Sequence, residues 1–149
     1  MEEQVAERMV IAGTPDNCYQ VLTFFEAYPE WAADIKSVTV DDRDSEGRAV
    51  TVTFRAAAFG RSTSYTLRYD YSGAPQVLSW VQVAGDLTRR LDGSYELAPS
   101  GPGGTEITYR LLVDLKVPLP GFVKRRAEWR IMGTALRELK ARVESPAVP

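Results

Sequence analysis

The residue types of this sequence restrict which side chains could carry out acid–base or covalent chemistry. Its 149 residues include no histidine and a single cysteine, Cys18. Catalysis by Ser-His-Asp or Cys-His, metal binding through histidine and a histidine general base are therefore excluded. One cysteine can form neither an internal disulfide nor a CxxC site. Any acid–base work would fall to tyrosine, aspartate or glutamate.

Large aromatic residues recur at alternate positions in segments with strand-like sequence. A buried phenol normally needs a hydrogen-bond partner, so several inward-facing tyrosines predict a polar ligand or water beside them. The alternative is that these rings pack against a helix as ordinary core residues. The residues concerned are Phe54, Tyr65, Tyr69, Tyr71, Trp80, Tyr95 and Tyr109.

A hydrophobic period of two over residues 35–116 predicts a run of antiparallel strands. Turn-forming residues interrupt it at short intervals, which is typical of hairpins and of a meander. With a strand at 4–12, the sequence predicts about seven strands. The others are expected near 35–43, 48–57, 61–71, 76–84, 89–98 and 105–116.

Helices are predicted after the first strand and at the end of the chain. Thr14 and Pro15 can begin a short helix, and Pro29 breaks it and begins a second. A period of 3.6 over 122–143 predicts a helix roughly 33 Å long. Its charged flank, which includes Glu128, is expected to be solvated. The predicted buried stripe consists of Phe122, Trp129, Met132, Gly133, Leu136, Leu139 and Val143.

This order of elements predicts an α+β fold in a single domain, 1–149, with a curved sheet around the last helix. A strongly twisted sheet of this size leaves more space than one helix can fill, so we expect a pocket between them. Asp34, beside Trp31, is the carboxylate expected near the rim of that pocket. The Arg126 side chain could reach the pocket mouth, although a surface salt bridge is the favoured interpretation.

The charge balance excludes several classes of partner. Eighteen Lys and Arg residues against 20 Asp and Glu residues give a net charge of −2. This balance provides no overall attraction to nucleic acid or to an anionic membrane. The acidic N-terminus and the lack of an apolar run of roughly 20 residues favour a cytoplasmic protein with no membrane span. No cofactor and no metal are expected.

Several short motifs resemble those of a known superfamily, and their order along the chain carries the resemblance. The sequence resembles the START-like helix-grip (SRPBCC, Bet v 1-like) superfamily and is most similar to its polyketide cyclase/dehydrase group. The resemblance covers nearly the whole chain. The motifs are Tyr28-Pro29-Glu30-Trp31, Gly73-Ala74-Pro75 before Ser79-Trp80, Gly93-Ser94-Tyr95-Glu96-Leu97, Gly104-Thr105-Glu106-Ile107-Thr108-Tyr109 and Pro118-Leu119-Pro120-Gly121.

The resemblance implies a hydrophobic cavity between the sheet and the last helix. Family members use it to hold a lipid, sterol or isoprenoid, or to fold a poly-β-ketone chain for aldol cyclisation and dehydration. In cyclising members an arginine on a middle strand and pocket hydroxyls polarise ketones and move protons, and Arg68 is the nearest match. If Tyr65 and Tyr69 point inward, however, Arg68 points to solvent unless a bulge intervenes.

Two functions therefore stay open. The first is a binding module for a hydrophobic small molecule, and the second is a polyketide cyclase/aromatase-dehydrase using tyrosine hydroxyls and an arginine. The scarcity of acid–base groups favours the first. The second would add an acyl carrier protein as a partner, and the sequence leaves a homodimer open. The predicted ligand-binding residues are Trp31, Phe54, Tyr65, Tyr69, Trp80, Tyr95, Tyr109, Phe122, Trp129 and Met132.

Overall fold

One seven-stranded antiparallel sheet forms the framework of the protein. The computed structural model describes residues 4–58 and 60–145, so the predicted turn residue Phe59 lies outside the described part. The spatial order of the strands is β1-β7-β6-β5-β4-β3-β2, with β1 and β2 at the edges. The strands are β1 Val5–Ile11, β2 Ile35–Arg43, β3 Ala49–Ala58, β4 Arg61–Asp70, β5 Val77–Gly85, β6 Thr88–Pro99 and β7 Thr105–Leu115. The predicted curved antiparallel sheet is confirmed.

Short helices follow the first strand, as the sequence predicts. Helix α1 (Pro15–Thr23) begins where the Thr14 side chain accepts a hydrogen bond from the Asn17 backbone N–H at 3.2 Å. This contact satisfies one of the free N–H groups at the helix start. A 3₁₀ turn (Phe25–Ala27) then leads into helix α2 (Tyr28–Trp31).

Helix α3 (Gly121–Glu144) is about 36 Å long and packs along β1 and β7 on the inner face of the sheet. Two hydrogen bonds between its glutamate side chains and backbone N–H groups elsewhere in the chain hold its C-terminal half. Glu144 Oε2 accepts from the Ala12 N–H at 2.8 Å, and Glu138 Oε2 accepts from the Ala33 N–H at 3.1 Å. No helix within the described ranges is both long and apolar enough to cross a bilayer.

The buried side of α3 differs from the predicted stripe at its N-terminal end. Met132 and Leu136 are buried as predicted, but Phe122 is 63% and Trp129 is 45% exposed. Glu128, predicted on the solvated flank, is only 3% exposed. Trp129 and Phe122 lie seven and fourteen residues before the buried Leu136, on the same side of the helix, so their exposure shows that the fold covers this side of α3 only towards its C-terminal end. The predicted burial of Phe122 and Trp129 is therefore wrong.

The difference in burial along α3 predicts different effects for two truncations. Leu136→Ala should lower the free energy of unfolding by about 3 kcal/mol, because the side chain is fully buried and would leave a cavity. Trp129→Ala should lower it by less than about 1 kcal/mol, since nearly half of that side chain already meets solvent. Urea denaturation measures both values. A larger loss for Trp129→Ala than for Leu136→Ala would contradict this pattern of burial.

Candidate functional site

A row of aromatic rings crosses the inner face of the sheet from β3 to β7. Strand pairing places Phe54 opposite Tyr65, Tyr69 opposite Trp80, and Tyr95 opposite Tyr109. Side chains directly opposite each other in antiparallel strands are near neighbours, and aromatic pairs stabilise such positions. The ring centroids of these three pairs lie 5.3, 5.7 and 4.5 Å apart. The structure thus brings six of the predicted ligand-binding residues together.

The first helices close one end of this aromatic row. Phe25, in the 3₁₀ turn, lies 4.5 Å from Tyr69 between ring centroids, and Tyr28 lies 5.8 Å from Phe54. Sequence reasoning did not place Phe25 or Tyr28 at the site. The direction of both side chains depends on a 3₁₀ turn that hydrophobic spacing does not reveal. Trp31 contacts Tyr28 at 4.8 Å and therefore lies at the outer end of the row.

A glycine allows Trp80 to lie against the neighbouring strand. Gly93 is directly opposite Trp80, and a Cβ atom at Gly93 would lie 2.7 Å from Trp80 Cζ2 and 2.4 Å from the Arg110 carbonyl oxygen. A side chain at this position would therefore displace the indole. The Trp80 Nε1–H donates to the Leu91 carbonyl at 3.0 Å, which satisfies its polar atom.

The hydroxyl of Tyr28 differs from those of Tyr65 and Tyr69 in its hydrogen bonding. The Tyr28 hydroxyl donates to the Leu22 carbonyl at 2.6 Å and is satisfied by the protein itself. Among the described residues, the Tyr65 and Tyr69 hydroxyls have no hydrogen-bond partner, and neither oxygen is sealed from contact with water. Such hydroxyls can donate a hydrogen bond to water or to a ligand.

The environment keeps these phenols protonated. Burial raises the pKa of Tyr65, and the negative charge of Asp34 raises it further. Burial is also the main cause of the raised pKa values of Tyr69, Tyr95 and Tyr109. A phenol with a pKa above its ordinary value of 10.0 remains neutral near pH 7. At that pH the hydroxyls can donate hydrogen bonds but cannot serve as general bases.

The three predicted charged candidates all lie at the surface. Asp34 is exposed in the turn before β2, on the side of the fold where its charge acts on Tyr65. Arg68 is exposed and faces away from the aromatic row, as the alternation along β4 predicts. Arg126 is exposed and has no ion pair among residues 4–58 and 60–145, so the favoured surface salt bridge does not form there.

Glu128 is the functional candidate that sequence reasoning missed. Within the described part of the chain it is the only charged side chain that is buried. It lies one helical turn before Met132, which is predicted to bind ligand and is fully buried against the core. The spacing of four residues from Met132 was visible in the sequence, but a glutamate beside Trp129 is ordinarily assigned to the solvent side.

Two depressions are open to the surface. One, of about 630 Å³, includes the outward-facing Arg68 and Val81 and also Tyr69 and Trp80 of the aromatic row. The other, of about 270 Å³, lies between α1, α2 and α3 and is lined partly by Trp31 and Phe24. The ring contacts occupy much of the space where the sequence predicts a pocket, and neither depression is lined by α3 together with the aromatic rings of the sheet. Across the described ranges, no group of three His, Cys, Asp or Glu residues could hold a metal.

Solved structures show which class of fold this arrangement defines. A START superfamily protein from Mycobacterium smegmatis is 23% identical, with a TM-score of 0.91 over 97% of this chain and 98% of its own. The Zhui aromatase/cyclase from Streptomyces sp. R1128 is 13% identical, with a TM-score of 0.84 over 97% and 94%. A major latex-like protein from Panax ginseng is 12% identical, with a TM-score of 0.76 over 97% and 99%. The fold is the helix-grip fold.

The family follows from the sequence match. Residues 2–144 match the family described as polyketide cyclase / dehydrase and lipid transport, and the chain belongs to that family. No curated protein matches the chain.

The raised tyrosine pKa values predict a loss of stability in alkali. All seven tyrosines have raised pKa values, with that of Tyr71 raised to about 12, mainly by burial. Above about pH 10 the unfolded chain loses phenolic protons that the native protein retains, so the free energy of unfolding falls as the pH rises. Below about pH 10 the tyrosines should not change the free energy of unfolding, because they are protonated in both states.

Urea denaturation at a series of pH values, together with tyrosinate absorbance of the native protein, measures this effect. The protein unfolded in guanidinium provides the control and should titrate near pH 10. Native tyrosines that titrate together with those of the unfolded chain would show that the phenols are not buried.

Proposed function

We propose that this protein binds a hydrophobic small molecule that carries an acceptor oxygen, in the space between the sheet and α3. The observation that carries the proposal is the pair of Tyr65 and Tyr69 hydroxyls, which lie on the inner face of the sheet without a protein partner among the described residues. A carbonyl or hydroxyl oxygen of a ligand would accept their hydrogen bonds. The surrounding rings would contact its apolar body.

Binding without chemistry fits the available side chains better than catalysis does. The sequence has no histidine, and the phenols of the row remain protonated at neutral pH. Arg68, the nearest counterpart of the arginine of cyclising members, points to solvent. The family description joins cyclisation to lipid transport, which accommodates a protein that only carries its ligand.

Cyclisation of a polyketide-like substrate is the second candidate, and the burial of Glu128 favours it. A carboxylate on the inner side of α3 could remove a proton next to a ketone while a tyrosine hydroxyl donates to the ketone oxygen. The similar fold of the Zhui aromatase/cyclase is compatible with such a reaction. Under this proposal an acyl carrier protein would deliver the substrate, and Asp34 would lie near the entrance of the site. A homodimer and a cytoplasmic location also stay predictions.

A matched pair of probes tests the binding proposal. The protein should bind 2-acetylnaphthalene more tightly than 2-ethylnaphthalene, because only the ketone can accept from the tyrosines. The double variant Tyr65→Phe/Tyr69→Phe should lose about 5-fold or more in affinity for the ketone and little for the hydrocarbon, since a hydrogen bond contributes about 1 kcal/mol. Quenching of tryptophan emission measures both affinities.

Arg68→Ala serves as the control for this experiment and should bind both probes as the unmodified protein does, because Arg68 faces outward. Failure of the folded protein to take up either probe would contradict the binding proposal. An equal affinity for ketone and hydrocarbon in the unmodified protein would contradict the role of the hydroxyls.

The cyclase candidate has a separate test in Glu128→Gln. A synthetic poly-β-ketone thioester cyclises to products with new aromatic absorbance, which gives the rate. If Glu128 is the base, its amide variant should lose on the order of 100-fold in rate while still binding 2-acetylnaphthalene. No acceleration by the unmodified protein, or an undiminished rate in Glu128→Gln, would rule out this assignment.

A further inference from the structure

The N-terminal half of α3 and the loop before it expose apolar side chains that the ligand proposal does not use. Phe122 is 63% exposed and Trp129 is 45% exposed, and their spacing of seven residues places them on the same side of the helix. Val117 and Leu119 in the preceding loop are 55% and 36% exposed. An exposed apolar patch of this kind on a folded domain marks an interaction surface more often than scattered single residues do.

Positive charge surrounds these apolar side chains. Arg125, Arg126 and Arg130 lie on the same half of the helix surface as Phe122 and Trp129, and none of the three has an ion pair in the described part of the chain. We call Val117, Leu119, Phe122, Trp129 and these three cations the basic aromatic face. Glu128 is the one acidic residue of α3 between 121 and 130, and it is buried. The charges that the face presents to solvent therefore have a single sign, although the chain as a whole carries −2.

This combination matches the chemistry of an anionic lipid surface. Tryptophan prefers the depth of the lipid headgroups, and Lys and Arg bind anionic headgroups while neighbouring apolar side chains enter the acyl boundary. A protein partner would typically meet both acceptor and donor side chains around an apolar centre. Here the polar side chains of α3 around the two rings are donors only.

We propose that the basic aromatic face docks the protein on the surface of an anionic bilayer, with Phe122 and Trp129 at headgroup level. The helix lies on the membrane and does not span it, since the later part of α3, including Met132, Leu136 and Leu139, is buried in the fold. Net charge alone predicts no attraction to such a membrane. The structure differs from that expectation because it concentrates unpaired cations and exposed rings on one short segment.

Vesicle sedimentation tests the proposal. The protein should sediment with vesicles of phosphatidylcholine mixed with phosphatidylglycerol, should bind phosphatidylcholine alone weakly, and should be released by high salt. Phe122→Ser/Trp129→Ser should lower the partition into anionic vesicles by at least about 10-fold. Arg126→Glu/Arg130→Glu should reduce it to that of phosphatidylcholine alone, because the charge complementarity is reversed.

Matched variants elsewhere on the surface provide the controls. Val81→Ser/Val83→Ser replaces two valines of β5 that are 48% and 47% exposed, and Arg55→Glu reverses an exposed cation of β3. Both should sediment as the unmodified protein does, and thermal unfolding checks that every variant is folded.

Three outcomes would overturn the proposal. The first is no binding to anionic vesicles at low salt, and the second is equal loss in the control variants. The third is binding to soluble poly-glutamate but not to vesicles, which would assign the face to an acidic protein. Ligand uptake is measured without vesicles, so failure of this proposal is distinct from failure of the proposed function.

Discussion

Alternation of side chains along paired antiparallel strands is the constraint on which the rest of this structure depends. A shift of one residue in the register would move every inner side chain to the outer face. The pairing of β3 with β4, β4 with β5, and β6 with β7 holds the aromatic residues opposite one another. The same register directs Arg68 to solvent and Tyr69 inward. The alternation of side chains along the strands therefore determines which chemical groups of the sheet lie inside the fold.

The inner face that results is mostly apolar, but it also carries a few polar groups. Ring-to-ring packing fills much of the space between sheet and helix, and the interior gains stability from these contacts. Two hydroxyls, those of Tyr65 and Tyr69, remain available for a ligand, and a buried carboxylate, Glu128, lies on the helix side. Donors with raised pKa values suit recognition of an acceptor oxygen. They do not suit proton removal, so the proposed cyclisation would need Glu128 as its base.

The sheet could be predicted well because hydrophobic residues at alternate positions and turn-forming residues are both local features of the sequence. The bounds of the seven strands differ from the predicted bounds by few residues, and the outward position of Arg68 follows from alternation alone. The extent of burial along α3 was harder to predict, since Phe122, Trp129 and Leu136 repeat every seven residues and hydrophobic spacing does not show where the cover ends. The fold buries Leu136 but leaves Phe122 and Trp129 exposed. Helical spacing from Cys18 and Leu22 predicts that Phe25 is buried, but its contact with Tyr69 depends on a 3₁₀ turn that no periodicity predicts.

The most direct test of the central claim is the response of individual tyrosines to an acceptor oxygen in the interior. NMR spectra of protein labelled at the tyrosine ring carbon that bears the hydroxyl, recorded with and without 2-acetylnaphthalene, report this response. The account predicts that the resonances of Tyr65 and Tyr69, assigned through their Phe variants, shift with the ketone more than with 2-ethylnaphthalene. Shifts limited to Tyr19, or equal shifts with the two probes, would contradict it.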